Sequence, residues 1–550
     1  MAEDTKPAEK PASQALSEGR PLPPQNGATT ARRWTRLPLP SAPAYACAAL
    51  SGVLYWLAFA GMDVWPLAFI ALVPLWIALQ GQAPRRALAL GTLAGFTMNV
   101  CGFYWLQEML KTFSGFPAVV CFFFVAVVCT YQGGRIGLLG WLYARASARG
   151  WPASLVFIAA FVASELVYPL LFPWYYAATV HQIPLLTQTA ELGGPIFVGV
   201  VLVAANLAIA ELPLARLANR KLDLRIVVGG AATLTLAILF GAIRIRAVTA
   251  QAKASEPVKV GMVQANMGLM EKRQDPFEGM TRHLRATDEL RREGVDFVIW
   301  SETSAMRPLR EEEIARAVPN EIGRRLGLPA IFGAVLVKPH PDPRRRYVFF
   351  NSAISTDARG EVDGRYDKEF LLAFGEYLPF GDAFPALYEA SPNSGRFSPG
   401  TELSPLFVDV HGKHHPVAML ICYEDILPAF TNDAVRATHP ELLVNMTNDA
   451  WFGDSSEPWE HLALAQFRAI EHRRYLVRST NSGVSAVIDP VGRVVSHTDT
   501  FREETTSATI AWMNGGTAYE KLGNSLWYLV TLAVAVGAFV RRRGPGAQLG

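Results

Sequence analysis

Long apolar runs dominate the first half of the chain, and shorter ones alternate with amphipathic stretches in the second. Seven segments are almost free of charge: 44–60, 65–79, 87–106, 116–130, 152–172, 195–210 and 226–243. Most approach the ~20 residues that carry a helix across ~30 Å of hydrocarbon. The runs are continuous rather than alternating, which predicts membrane helices and not barrel strands. From about residue 247 the period shortens. Residues 258–263, 296–300, 330–337, 348–355, 417–422, 442–446 and 485–489 read as strands. Residues 277–293, 311–326 and 459–474 read as helices. An eighth apolar run follows at 525–540. The expected division is a disordered polar tail at 1–40, seven membrane helices at 41–246, an α/β domain at 247–520, and a last membrane helix with a basic tail at 521–550.

Composition narrows the function. Hydrophobic residues make up 51% and charged residues 18% of the 550 positions, against roughly 25% charged in soluble domains. That excludes a wholly soluble or disordered chain. With 51 Lys and Arg against 48 Asp and Glu, the net charge is +3, so no nucleic-acid partner is expected from bulk charge. Placement of the charge says more. If the amino terminus is cytoplasmic, the cytoplasmic segments carry Arg32, Arg33 and Arg36, then Arg85 and Arg86, Arg145 and Arg149, Arg216, Arg220, Lys221 and Arg225, and Arg541 to Arg543. Of the opposite loops, 61–64 and 173–194 carry none and the loop after the third run only Lys111. This asymmetry predicts both termini inside and the α/β domain outside the cytoplasm. Arg244 and Arg246 are exceptions at the start of a large domain, where the rule weakens.

Four of the five cysteines, Cys47, Cys101, Cys121 and Cys129, fall in apolar runs and read as small hydrophobes. Cys422 stands alone in the α/β domain, with no disulfide partner, as either an inert buried thiol or a deliberate free one. It ends the apolar strand Pro416-Val-Ala-Met-Leu-Ile-Cys422 and is followed at once by Tyr423, Glu424 and Asp425. A strand end is where an α/β domain presents a nucleophile, and a thiol needs a base. Glu302 ends another apolar strand, Phe297-Val-Ile-Trp-Ser-Glu302. Lys368 and Glu376 lie eight residues apart in a stretch rich in Leu, Phe and Tyr. His411, His414 and His415 read as a solvated turn rather than a metal site. His461 and His472, on a predicted helix, are alternative bases in a cysteine–histidine arrangement.

Together Glu302, Lys368 in Arg365-Tyr-Asp-Lys368 and Cys422 in Ile-Cys-Tyr-Glu424 resemble the Glu-Lys-Cys triad of the nitrilase superfamily, in the same order along the chain. The likeness is closer still to the apolipoprotein N-acyltransferases. It is carried by Val263-Gln-Ala-Asn266, Phe374-Gly-Glu-Tyr-Leu-Pro379, Phe397-Ser-Pro-Gly400, Thr447-Asn-Asp-Ala-Trp-Phe-Gly453 and Arg478-Ser-Thr-Asn-Ser-Gly483. Two positions depart from that family. Ala373 stands where a proline usually precedes Phe-Gly-Glu, and Met270-Glu-Lys-Arg273 where a tryptophan is common.

The resemblance implies an α-β-β-α sandwich inserted into a helical membrane bundle of seven spans plus one, in the bacterial inner membrane with the catalytic domain periplasmic. It also implies an acyl transfer without cofactor or metal. A glycerophospholipid would be the acyl donor and a diacylglyceryl lipoprotein the acceptor. Glu302 would be the base, Cys422 the nucleophile, and Lys368 with the Tyr423 N–H the oxyanion stabilisers; Glu376 and Glu424 would support them. A membrane-tethered amidase cleaving a small C–N substrate would use the same triad. Leu371, Leu372, Phe374, Tyr377, Leu378, Phe380, Phe384, Leu387 and Tyr388 crowd the segment after Lys368, and 370–388 is expected to be a bilayer-facing lid with Gly375 and Gly381 as candidate hinges. Glu165 is expected as an intramembrane carboxylate with a packing role.

Overall fold

The structure, a computed structural model, describes residues 37–268, 276–340, 346–390 and 394–541. Most of the amino-terminal tail and the 270–273 departure lie outside the described residues. The apolar runs form helices Ser41–Ala58, Val73–Leu79, Pro84–Gly102, Ala118–Ser147, Ala153–Val167, Ala190–Leu217, Leu224–Ala254 and Ser525–Phe539. Among the described residues, four are individually long and apolar enough to cross a membrane: Ser41–Ala58, Ala118–Ser147, Ala190–Leu217 and Leu224–Ala254. A fifth joins them if Pro84–Gly102 and Leu106–Thr112, bent by 64°, make one broken span. Trp65–Leu79, Ala153–Val167 and Ser525–Phe539 are apolar but shorter.

The run expected at 116–130 continues as helix to Ser147. Gln132 and Arg135, whose polarity cuts the run short in sequence, face inward. Gln132 meets Asn99 at 3.1 Å and Arg135 pairs with Glu165 at 3.6 Å. Gly133 allows the approach to helix Pro84–Gly102, because a Cβ there would lie 2.5 Å from the Phe96 nitrogen. The apolar helices are therefore less free of charge than the sequence suggests. Arg135, Glu165, Glu191, Glu211 and Arg244 all lie within them, each in an ion pair.

Beyond the bundle, two sheets pack face to face. Strands β1 (Pro257–Gln264), β2 (Phe297–Trp300), β3 (Ala305–Arg310), β4 (Ala330–Pro339), β5 (Tyr347–Thr356), β6 (Val362–Asp367) and β13 (Glu504–Ala511) form the first, in the order β13-β1-β2-β4-β5-β6 with β3 beside β4. Strands β7 (Leu406–Val410), β8 (Lys413–Ile421), β9 (Leu442–Thr447), β10 (Leu476–Thr480), β11 (Ala486–Ile488) and β12 (Val494–His497) form the second, in the order β12-β11-β10-β9-β8-β7. Both centres are parallel: β1-β2-β4 in one and β8-β9-β10 in the other. Met262, Phe297, Ile299, Met419, Ile421 and Val444 fill the space between the sheets. Helix Pro276–Arg292 covers the outer face of the first sheet, and Glu457–His472 that of the second. The helix expected at 311–326 is present as one continuous helical run that changes type along its length, from 3-10 at Glu311–Glu313 through α at Ile314–Val318 to a π turn at Pro319–Gly323 and a last α turn at Arg324–Leu326. Pro319 opens the π turn, where its missing N–H removes one α-type bond without ending the helix.

Helix Glu457–His472 is buried along almost its whole length. One face packs on the second sheet; Leu464, Phe467 and Ile470 join the apolar core shared with the bundle. Arg473 closes the joint, pairing with Glu191 at 2.5 Å and donating to Gln188 at 2.7 Å. The sandwich and the bundle thus share a buried interface through this helix.

Candidate active site

Glu302 follows the carboxyl end of β2, Lys368 that of β6 and Cys422 that of β8. Crevices at the carboxyl ends of parallel strands are where open α/β sheets bind ligands. Cys422 opens a 3-10 turn, Cys422–Ile426, with φ at +54°. A non-glycine residue in the left-handed region signals a strained, externally held backbone. The holding groups are present. Asn445 Nδ2 donates to the carbonyls of Leu420 and Cys422 at 3.2 and 3.1 Å.

Lys368 is fully buried beside two carboxylates, with Nζ 2.7 Å from Glu376 and 3.9 Å from Glu302. Burial opposes its charge, but Glu376, Cys422, Glu302 and Glu424 outweigh that and hold the ammonium above its ordinary pKa. The Cys422 thiol moves the same way for the opposite reason. Burial pushes it well above the ordinary thiol, against the lowering pull of Lys368. Cys422 is therefore held as a protonated thiol beside the Lys368 cation, and a base would be needed for it to act as a nucleophile.

Sequence reasoning missed Asn351, on β5. Its Nδ2 donates to Glu302 at 2.5 Å and to Glu376 at 2.8 Å, and its carbonyl accepts from the Lys368 N–H at 2.8 Å. One residue thus aligns both carboxylates through its side-chain amide and the lysine backbone through its main-chain carbonyl. The available signal was an amide inside the aromatic and apolar strand Phe349-Phe350-Asn351.

Glu424 has a different geometry. It is fully buried and accepts from the N–H groups of Ile421 (2.7 Å), Glu369 (2.8 Å) and Phe370 (3.0 Å) and from the Tyr366 hydroxyl. Burial pushes it up to about 7 despite Lys368 and these donors. It clips the segment after Lys368 onto the Cys422 turn. Tyr423 is buried, its ring against Phe172 of the bundle and His461 of the sandwich.

The two histidines are placed for other work. His461 Nε2 lies 2.8 Å from Asp425, in a buried network where Arg478 also pairs with Asp425 and Asp449. Burial and Arg478 lower its pKa, but Asp425 and Asp449 raise it to about 9. A charged imidazolium cannot take a thiol proton. His472 sits at the far end of the same helix. The histidine tract spreads over the β7–β8 hairpin. His414 stacks on Phe407 and His415 on Trp512. Asp363, Asp409 and His414 are close enough to share an ion but are partly or fully exposed.

A cavity of about 750 Å³ adjoins the residues after Lys368, walled by Phe370, Leu371, Tyr377, Leu378, Tyr388 and Phe397. Positive φ in this region falls on Phe374 (+68°) and Phe380 (+63°), not on the neighbouring Gly375 and Gly381 that were expected to hinge it.

The apolipoprotein N-acyltransferase N-terminal domain model matches residues 51–208, and the carbon-nitrogen hydrolase model residues 259–516. An apolipoprotein N-acyltransferase of Geobacter metallireducens is 29% identical over 91% of this chain and 95% of its own. One of Pseudomonas putida is 30% identical over 88% and 94%. Among solved structures, a Saccharomyces cerevisiae protein of branch 10 of the nitrilase superfamily covers 46% of this chain and 90% of its own, at 17% identity and a TM-score of 0.35. With likeness running through the helical and α/β parts alike, the chain belongs to the apolipoprotein N-acyltransferase family.

Proposed function

We propose that the chain transfers an acyl group from a glycerophospholipid to the amino terminus of an S-diacylglyceryl lipoprotein, by way of a thioester on Cys422. The observation that carries the reading is the group of Lys368, Glu376 and Glu302, aligned by Asn351, whose charges act on the Cys422 thiol. Glu302 takes the thiol proton, and the thiolate attacks the sn-1 ester carbonyl. Lys368 and the Tyr423 N–H stabilise the oxyanion. As the intermediate collapses, the lysophospholipid oxygen leaves with the proton from Glu302. The lipoprotein α-amine then attacks the thioester and gives its proton to Glu302. The amide forms and Cys422 leaves as thiolate, reprotonated by Glu302. The thioester keeps the reactivity of the ester, so no further energy source is needed. Intact mass after exposure to phospholipid micelles tests this: one fatty-acyl increment on Cys422 is expected, and its absence refutes the reading. A membrane-tethered amidase would share the triad, but family likeness across the helical part favours acyl transfer.

The division into a tail at 1–40, a membrane domain at 41–246, a catalytic domain at 247–520 and a terminal span at 521–550 belongs to this reading. So do seven spans plus one, residence in the bacterial inner membrane, and a periplasmic site. The Lys and Arg asymmetry supports that orientation. Asp454 is exposed, so an Asp454→Cys variant should react in whole cells with a membrane-impermeant maleimide. Labelling only after the inner membrane is opened would reverse the topology.

The segment 370–388 fits a lid over the lipid route. Phe380 is 77% and Phe384 63% exposed, which suits contact with lipid better than domain core. Replacing either with Ser should slow turnover on bilayer-embedded substrate several-fold. Stability should stay within about 0.5 kcal/mol, as for other surface positions. A collapse of several kcal/mol in both would mark them as core and remove the lid.

A further inference from the structure

Residues 168–175 carry no helix or strand, yet Phe172, Trp174 and Tyr175 are buried between the bundle and the sandwich, as is Tyr176, which opens the 3-10 turn Tyr176–Val180. A buried irregular segment must find partners for its backbone. Side chains of the bundle supply them. Gln132 accepts from the Phe172 N–H at 2.9 Å, Arg135 donates to the Trp174 carbonyl at 2.6 Å, and Glu165 accepts from the Tyr176 N–H at 2.8 Å. The Arg135 guanidinium also lies over the Trp174 ring, 3.4 Å from its centre. The segment is thus pinned at three successive points by polar groups inside an otherwise apolar bundle.

Its other side touches the nucleophile turn. The Phe172 ring meets the Tyr423 ring edge-on, with centres 6.1 Å apart, and the Tyr175 hydroxyl donates to the Ile426 carbonyl. Tyr423 and Ile426 belong to the five-residue turn that starts at the strained Cys422. From within the sandwich, Glu424 and Asn445 hold that turn. From the bundle, these two contacts hold it.

We propose that segment 172–176 is a brace that sets the position of the nucleophile turn, with Phe172 and Tyr175 as positioning residues for acyl transfer. The inference rests on the thioester reading of Cys422 and extends it into the bundle. Its consequence is specific. The Tyr423 N–H must point at the oxyanion, and a displacement of about 1 Å can cost on the order of 10²-fold in rate. Neither Phe172 nor Tyr175 lines the cavity beside the segment after Lys368, so affinity for the donor should not change.

Tyr175→Phe removes one hydroxyl and keeps the ring; Phe172→Leu removes the aromatic edge and keeps the bulk. In micelles of a palmitoyl-oleoyl glycerophospholipid, thioester formation at saturating donor should fall at least tenfold in each, with KM within twofold of the parent. Alkylation of Cys422 by iodoacetamide forms no oxyanion, so its rate should stay within twofold. Thioester formation within twofold of the parent in both variants would overturn the brace. So would alkylation that slows in step with acylation, because that marks a general disturbance of the site. A parent enzyme that forms no thioester at all refutes the acyl-transfer reading instead.

Discussion

Replacing Cys422 with alanine is expected to abolish acyl transfer while leaving the fold intact. The residue is 5% exposed, and losing one sulfur atom leaves little empty space. The turn it opens is held by Glu424 and Asn445 through backbone groups that the substitution keeps. Stability should therefore change little. Chemistry should change by a factor on the order of 10⁴ or more, as when the nucleophile of an acyl-transfer triad is removed. Serine should fare almost as badly, since its hydroxyl is much harder to deprotonate in a site that already pushes the thiol upward. The parent chain should gain one acyl group in intact mass after exposure to phospholipid, and neither variant should. Near-normal turnover in Cys422→Ala would place the nucleophile elsewhere.

Glu302→Gln and Lys368→Met should both block the thioester, and for separable reasons. The glutamine amide cannot accept the thiol proton, yet it has nearly the volume of the carboxyl and can still accept the 2.5 Å bond from Asn351. The expected loss is about 10²–10⁴-fold, the contribution of a general base, with stability largely kept. Lys368→Met removes the cation between Glu302 and Glu376. The rate should fall by about 10²–10³-fold or more through loss of oxyanion stabilisation. The buried carboxylates left without their partner should cost a further 3–5 kcal/mol or so of stability. Intact mass and thermal unfolding on the two variants separate these outcomes. An acyl adduct that accumulates normally in Glu302→Gln would refute the base assignment.

Much of this arrangement was legible in the residues. The strand ends carrying Glu302 and Cys422 were visible because each apolar run stops at a polar residue. The long helices were visible because lipid demands continuous hydrophobicity. What escaped notice were residues whose meaning depends on a distant partner. Gln132 and Arg135 looked like the end of a span until Asn99, Trp174 and Glu165 met them inside the bundle. Asn351 looked like one more strand position until two carboxylates, 49 residues before it and 25 after, converged on its amide. Strands β3, β6, β7, β10, β12 and β13 leave no distinct pattern in the sequence. Several are short or only partly buried, so their alternation is weak. A lone histidine such as His461 carries no sign in the sequence of the neighbours, Asp425 among them, that surround it in the fold.

The pairing of β1 with β13 constrains how the protein is made. The first strand of the sandwich finds its antiparallel neighbour in the last, with Pro257 opposite Ala511 and Gln264 opposite Glu504. Ribosomes add roughly 5–20 residues each second. For tens of seconds after β1 emerges, one of its edges must therefore wait open for a strand not yet synthesised. Gln264 waits too, because its side chain bonds to Thr480, Ser485, Thr498 and the Asp499 carbonyl. The helix that follows β13 re-enters the apolar bundle, where Trp527 donates to the Gly193 carbonyl. Closing the sheet and seating helix Ser525–Phe539 thus wait for neighbouring stretches of the chain. A chain cut short before residue 504 would keep its triad and still present an unpaired edge, making it a substrate for quality-control proteases rather than a smaller enzyme.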